Sequence, residues 1–318
     1  MGSSAPIRDW LHNWRSRVLT AETCPADGLG SAAQPDLPVA ERGGVEEPED
    51  GRVTTDLHVE SAGDGIPAVV LVHAGIADRR MWDREFTALA NRHRVVRYDV
   101  RGFGRSPDPT RDYFDHDDLL AVLDDAGLER AVLVGASNAG RIVLDTAVTA
   151  PQRVQAMVLV GSALPGVPLG DDVLADLDAE GEALTAGDVA RAREINLRWW
   201  VDGVGRDPSQ VDANVRATVA GWLDELLPRQ AARMEAGQGD AQLIEPLVRD
   251  RLADVDIPAL VLVGRHDAPG MDVIARRLAS ELRQAHMVEV DGAAHLLNLE
   301  QPERFAGLLD GFLASLEV

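Results

Sequence analysis

The chain has 318 residues, 45% of them hydrophobic, which suits one large domain with an inserted subdomain. A formal net charge of -22 repels phosphate backbones and anionic lipid, so nucleic acid and membrane are excluded as expected partners. The single cysteine, Cys24, excludes an intrachain disulfide and fits a reducing, cytoplasmic setting, and no run approaches transmembrane length.

In chain order, residues 1–20 carry Ile7, Trp10, Leu11, Trp14 and Val18 at helical spacing, with Pro6 suited to a first turn. They lack the continuous apolar stretch of a secretory signal. Residues 21–52 are rich in Gly, Pro, Ala and acid and read as a linker. Together, residues 1–52 are expected to form an arm that packs on its own core or joins two copies as a homodimer. An edge strand is expected over Val53–Val59, and a buried strand over Ala68–His73. A helix near Arg79–Ala90 leads to a strand over Val95–Val100. A helix near His116–Ala126 precedes the strand that opens at Ala131. The helix beginning near Arg141 is followed by a buried strand over Ala156–Gly161. From about Pro165 to Arg251 the patterning is helical, with Val189–Val201 and Val211–Leu227 as its clearest segments. Strands resume at Ala259–Gly264 and His286–Val290. A closing helix places Phe305, Leu308, Leu309, Phe312 and Leu316 on one face. The alternation predicts an α/β fold with a doubly wound, mostly parallel sheet. Residues 53–164 and 252–318 are its core, and 165–251 are a helical cap insertion.

The most informative stretch is Ala131–Gly140. An apolar, β-branched run ends in Gly135-Ala136-Ser137-Asn138-Ala139 and passes straight into a helix. This is the nucleophile elbow pattern G-x-S-x-G, with Ala139 in the last place. Small residues two positions either side of Ser137 are needed because strand and helix crowd together at the turn. The turn holds the Ser137 hydroxyl clear of the backbone at a helix N-terminus, where the backbone N–H of Asn138 can face a developing oxyanion.

Ligands of doubly wound sheets bind outside the carboxyl ends of the strands. There the chain carries Ser137, then Asp267 after Val263, then His295 after Val290, in the order Ser…Asp…His. A serine hydroxyl is a weak nucleophile without a base. His295 is the expected general base, and Asp267 is expected to fix its tautomer. His266 directly precedes the acid and is expected to point away, whereas His73 closes a strand and is expected to order the loop after it. Asp99 and Arg101 are expected to tie loops together.

Three stretches carry a family resemblance. Leu71-Val72-His73-Ala74-Gly75 with Met81-Trp82-Asp83 resembles an oxyanion loop. Asp99-Val100-Arg101-Gly102-Phe103-Gly104-Arg105-Ser106 resembles a D-x-R-G-x-G-x-S loop, and Gly292–His295 with Asn298–Glu303 resembles a histidine loop. The chain thus resembles the α/β-hydrolase fold superfamily, in particular its cofactor-free serine esterases and enol-lactonase-like hydrolases. The resemblance implies Gly75 as a second oxyanion donor beside Asn138, no cofactor and no metal. It implies hydrolysis of an ester or lactone of a small or medium apolar molecule through an acyl-enzyme. A lyase, cyclase or perhydrolase of secondary metabolism, and a non-catalytic binding protein on the same fold, are the alternatives. Ile76, Trp199, Trp200 and Trp222 are the expected substrate-binding residues, with packing of the helical insertion the other role for at least two of the tryptophans. Asn138 is polar where many such proteins carry an apolar residue. It is expected either to hydrogen-bond substrate or to cap its helix.

Overall fold

The computed structural model describes residues 55–316. The expected N-terminal helix, linker and dimerisation arm lie outside the described residues. Strands β1 (Val59–Ala62), β2 (Val69–Val72) and β3 (Val95–Tyr98) begin the core. Helix α1 (Asp83–Leu89) lies between β2 and β3, and α2 (Asp115–Asp125) follows β3. Strand β4 (Ala131–Ala136) runs into α3 (Asn138–Thr149), and β5 (Val154–Val160) comes next. The helical segment then holds α4 (Asp171–Thr185), α5 (Val189–Leu197) and α6 (Ala213–Ala236). Strand β6 (Ala259–Gly264), helix α7 (Pro269–Glu281), strand β7 (Ala285–Val290) and helices α8 (Leu297–Glu300) and α9 (Pro302–Ser315) complete the chain.

The described residues form one seven-stranded sheet in the order β1-β3-β2-β4-β5-β6-β7. Only β1 pairs antiparallel, with β3; the other pairs are parallel. The apolar runs of β2, β4, β5 and β6 follow from this topology, because each strand is covered on both faces. Val70, Val72 and Leu133 face the cluster built with α2, α3 and α7. Val69, Leu71, Val132 and Val134 face the opposite cluster, where Trp82 and Phe305 pack with ring centroids 5.8 Å apart.

Two boundaries differ from the sequence expectation. The first strand is Val59–Ala62 rather than Val53–Val59. Before it, Leu57 turns into the core and the His58 N–H donates to Ser106 Oγ, so the chain there is held by a side chain as well as by a strand. The expected helix Val189–Val201 ends at Leu197 and continues as a π-helical turn over Arg198–Asp202. Helix α6 runs on past Leu227, through Pro228, to a left-handed Gly237 that caps it.

The register sets the site. Val72 lies opposite Gly135, Ala136 opposite Val160, and Gly264 opposite Val290. The loops that follow β2, β4, β6 and β7 therefore emerge on one edge of the sheet.

Candidate active site

Ser137 is the one non-glycine with positive φ among the described residues, at φ 57° and ψ -123°. A strained backbone at a strand-to-helix junction is the mark of a site that needs its side chain projected. Backbone bonds hold the turn: the Ser137 N–H donates to the Val160 carbonyl at 2.8 Å, and the Ser137 carbonyl accepts from Gly140 and Ala163. Gly135 makes the crossing fit. A Cβ there would stand 2.4 Å from the Ala139 carbonyl oxygen, so no side chain is tolerated without movement. Ala139 itself is buried in the core, its backbone being the surface that Gly135 meets.

His295 and Asp267 form a buried pair at the same sheet edge. The imidazole Nδ1 lies 2.9 and 3.0 Å from the two Asp267 carboxylate oxygens. Nδ1–H donates, which leaves Nε2 as the lone-pair nitrogen. Asp267 Oδ1 also accepts from the Ala268 N–H, which fixes the carboxylate. Gly161, at the end of β5, allows the pair to close against the sheet; a Cβ on it would lie 3.0 Å from His295 Nδ1 and 3.2 Å from Asp267 Oδ2. Ser137 and His295 line one cavity of about 230 Å³. Among the described residues no hydrogen bond joins them.

The loop after β2 is held from behind. The Val100 N–H donates to His73 Nε2, so the imidazole proton is on Nδ1, which donates to the Ala74 carbonyl at 2.9 Å. Burial pushes the His73 pKa down, consistent with a neutral ring that serves as a brace. The Ala74 N–H donates to Met81 Sδ. Gly75 follows, on the cavity wall, with open space where a Cβ would be. Its N–H has no acceptor among the described residues, and the N–H of Asn138, first in α3, has none within its helix. Two donors thus border the cavity that Ser137 enters, the arrangement that oxyanion stabilisation requires.

Asp99 ties this loop to the next. Its carboxylate accepts from the backbone N–H groups of Arg79 and Arg105 and from the Arg79 guanidinium. Arg101 bridges Asp56 and Asp118. His266 Nδ1 meets the Val204 carbonyl on the protein surface, away from Asp267.

The tryptophans divide. Trp200, in the π-helical turn, lines the cavity and lies over the His295 imidazole with ring centroids 4.6 Å apart. Ile76 also lines it. Trp199 and Trp222 stand outside that wall. Trp199 donates from Nε1 to Asp176 Oδ2 and packs in the core, and Trp222 is buried and borders a second, smaller cavity with Ala77 and Glu225.

Sequence reasoning misses two buried ion networks. Arg141 is fully enclosed and donates to Asn138 Oδ1 from Nε, to Asp145 Oδ2 from Nη1, and to Asp115 Oδ2 from Nη2. Arg206 donates to Glu300 Oε2 and to the Val201 and Asp202 carbonyls, while Glu300 Oε1 accepts from the Ala294 N–H. That pair joins the Trp200 turn to the His295 loop. The only sequence signal is a charged residue inside an apolar helical stretch at Arg141; Arg206 lies in a Gly- and Asp-rich loop and carries none.

The remaining wall of the cavity mixes apolar side chains with polar ones, Tyr113, Asn196, Gln230 and Arg233 among them. Leu164, Leu177 and Leu184 contribute from the chain after β5, Leu223 and Leu227 from α6, and Ile274 from α7. Arg229 of α6 donates to the Gly104 and Ser106 carbonyls, docking the helical segment on the loop after β3. Among the described residues no group of His, Cys, Asp or Glu side chains is placed to hold a metal ion, and no helix is long and apolar enough to cross a membrane.

Comparison with known proteins gives a consistent picture. The family described as "Alpha/beta hydrolase family" matches residues 69–308. The chain is 27% identical over 257 residues to 3-oxoadipate enol-lactonase 1 of Acinetobacter baylyi, covering 80% of this chain and 91% of that protein. It is 26% identical over 268 residues to a pimeloyl-[acyl-carrier protein] methyl ester esterase of Nitrosomonas europaea, covering 80% and 98%. Among solved structures, the enol-lactonase from Burkholderia xenovorans superposes with a TM-score of 0.67 at 24% identity, over 81% of this chain and 96% of that one.

Proposed function

The chain belongs to the alpha/beta hydrolase family, and from its site we propose that it is a serine hydrolase of carboxylic esters or lactones. The observation that carries this reading is Ser137 in its strained elbow, on one cavity with a His295 already oriented by Asp267. Similarity to an enol-lactonase and to a methyl ester esterase supports the same class of reaction.

In this reading Ser137 Oγ attacks the carbonyl carbon while His295 Nε2 takes its proton. The N–H groups of Gly75 and Asn138 receive the oxyanion. The tetrahedral intermediate collapses, His295 gives its proton to the leaving alkoxide, and an acyl-Ser137 ester remains. Water, deprotonated by His295, then releases the acid and restores the serine. The helical segment between β5 and β6 serves as a cap that keeps bulk water from the acyl group. The leucine-rich wall suits a small or medium apolar substrate.

Kinetics on short p-nitrophenyl esters test this. Ser137→Ala and His295→Ala are each expected to lower kcat by roughly 10⁴-fold or more. Asp267→Asn is expected to cost about 10³- to 10⁴-fold, because an asparagine can hold the imidazole in the wrong tautomer. Turnover that survives Ser137→Ala would overturn the proposal.

A further inference from the structure

We propose that the side-chain amide of Asn138 donates a hydrogen bond to the substrate and selects acyl groups that carry a second acceptor oxygen close to the reacting carbonyl. The inference rests on the reading of Ser137 as nucleophile and names the substrate class of that site.

Arg141 determines which way the amide faces. A guanidinium only donates, so the Asn138 atom 3.0 Å from Arg141 Nε is its oxygen. Arg141 is itself locked, fully buried, between Asp115 and Asp145. The Asn138 oxygen is therefore committed to the protein. The NH₂ group lies at the other end of the amide. Among the described residues it has no hydrogen-bond partner, and it is not one of the enclosed, unpartnered polar atoms. Asn138 is half-buried and lines the same cavity as Ser137, so the open side of its amide is the cavity side. Adjacent Cα atoms stand about 3.8 Å apart. A donor on the residue next to the nucleophile reaches the first atoms of the acyl group. A 2-alkoxy or 2-oxo acyl chain places an acceptor there, whereas a plain alkyl chain leaves the amide N–H groups unpaired in a desolvated site.

The experiment compares two p-nitrophenyl esters of equal length, the butyrate and the methoxyacetate, which differ by one exchange of CH₂ for O. The readout is the methoxyacetate-to-butyrate ratio of kcat/KM in wild type divided by the same ratio in a variant, so that intrinsic reactivity cancels. Asn138→Asp keeps an oxygen for Arg141 and replaces the donors with a second oxygen. Asn138→Ala removes the amide without adding charge. The wild-type ratio is expected to exceed that of either variant roughly five- to tenfold, the worth of one neutral hydrogen bond. Calorimetric binding of propylboronic and methoxymethylboronic acids, which needs no turnover, gives the same comparison for a variant too slow to assay. A double ratio near one, with the butyrate still hydrolysed through Ser137, overturns the assignment and leaves the serine chemistry standing. Wild-type protein that hydrolyses neither ester and binds neither boronic acid overturns both.

Discussion

Glu85 sits on α1 behind the loop that carries Gly75, and burial pushes its carboxyl up to about 7. Its Oε1, Trp82 Nε1 and Asn298 Oδ1 are enclosed without partners, and Asn298 Nδ2 reaches Glu85 Oε2 only at 3.5 Å. The ordinary value is 4.5, so the folded protein holds this proton over a range in which the unfolded chain has released it. The associated stability is complete below about 4.5 and is lost as pH rises through 7. Glu85→Gln, which copies the neutral form, is expected to unfold with the same free energy as wild type near pH 4 and to be more stable at pH 8, by up to about 3 kcal/mol. Urea titrations at both values check this, and a wild type as stable as the variant at pH 8 contradicts it. At Gly135 the expected effect has the opposite sign. Gly135→Ala drives a methyl group onto the Ala139 carbonyl and is expected to destabilise the fold by about 1–3 kcal/mol.

Among the elements, the π-helical turn Arg198–Asp202 and the His295 loop act as one unit. Trp200 covers the imidazole, and the Arg206–Glu300 pair, with side chains 9% and 4% exposed, fastens the two segments together. Removing one member of a buried ion pair strands the other charge. Glu300→Ala is expected to cost about 3–5 kcal/mol of stability, and a double replacement of Arg206 and Glu300 by apolar residues to recover much of it. Thermal and denaturant unfolding of the three variants measure this. Trp200→Ala opens the wall above His295 and is expected to lower kcat/KM on longer acyl esters more than on acetates. Trp199→Ala and Trp222→Ala are expected to lower melting temperature with little change in that preference. Equal changes in acyl preference for all three would contradict the division.

At the scale of the whole molecule, the sheet was legible because strands covered on both faces must be apolar throughout, as Val69–Val72 and Ala259–Gly264 are. The places of Ser137, Asp267 and His295 were legible because Ser137 follows β4 directly, Asp267 and His295 lie in the loops after β6 and β7, and parallel register brings those strand ends together. The first strand was misplaced because β1 is an edge strand whose half-buried residues carry little periodic signal. The orientation of Trp199 and Trp200 was hidden because a π turn shifts the face that helical spacing assigns. The Arg141 and Arg206 networks were hidden because a buried charge is recognised by its partner, and Asp115 is 26 residues away and Glu300 is 94. The account's central claim is that Ser137 is an activated nucleophile, which a fluorophosphonate probe tests most directly. Mass spectrometry of the native protein is expected to find one covalent adduct, on Ser137, that is lost in Ser137→Ala and greatly slowed in His295→Ala. A native protein that stays unlabelled, or an adduct on another residue that persists in Ser137→Ala, would contradict it.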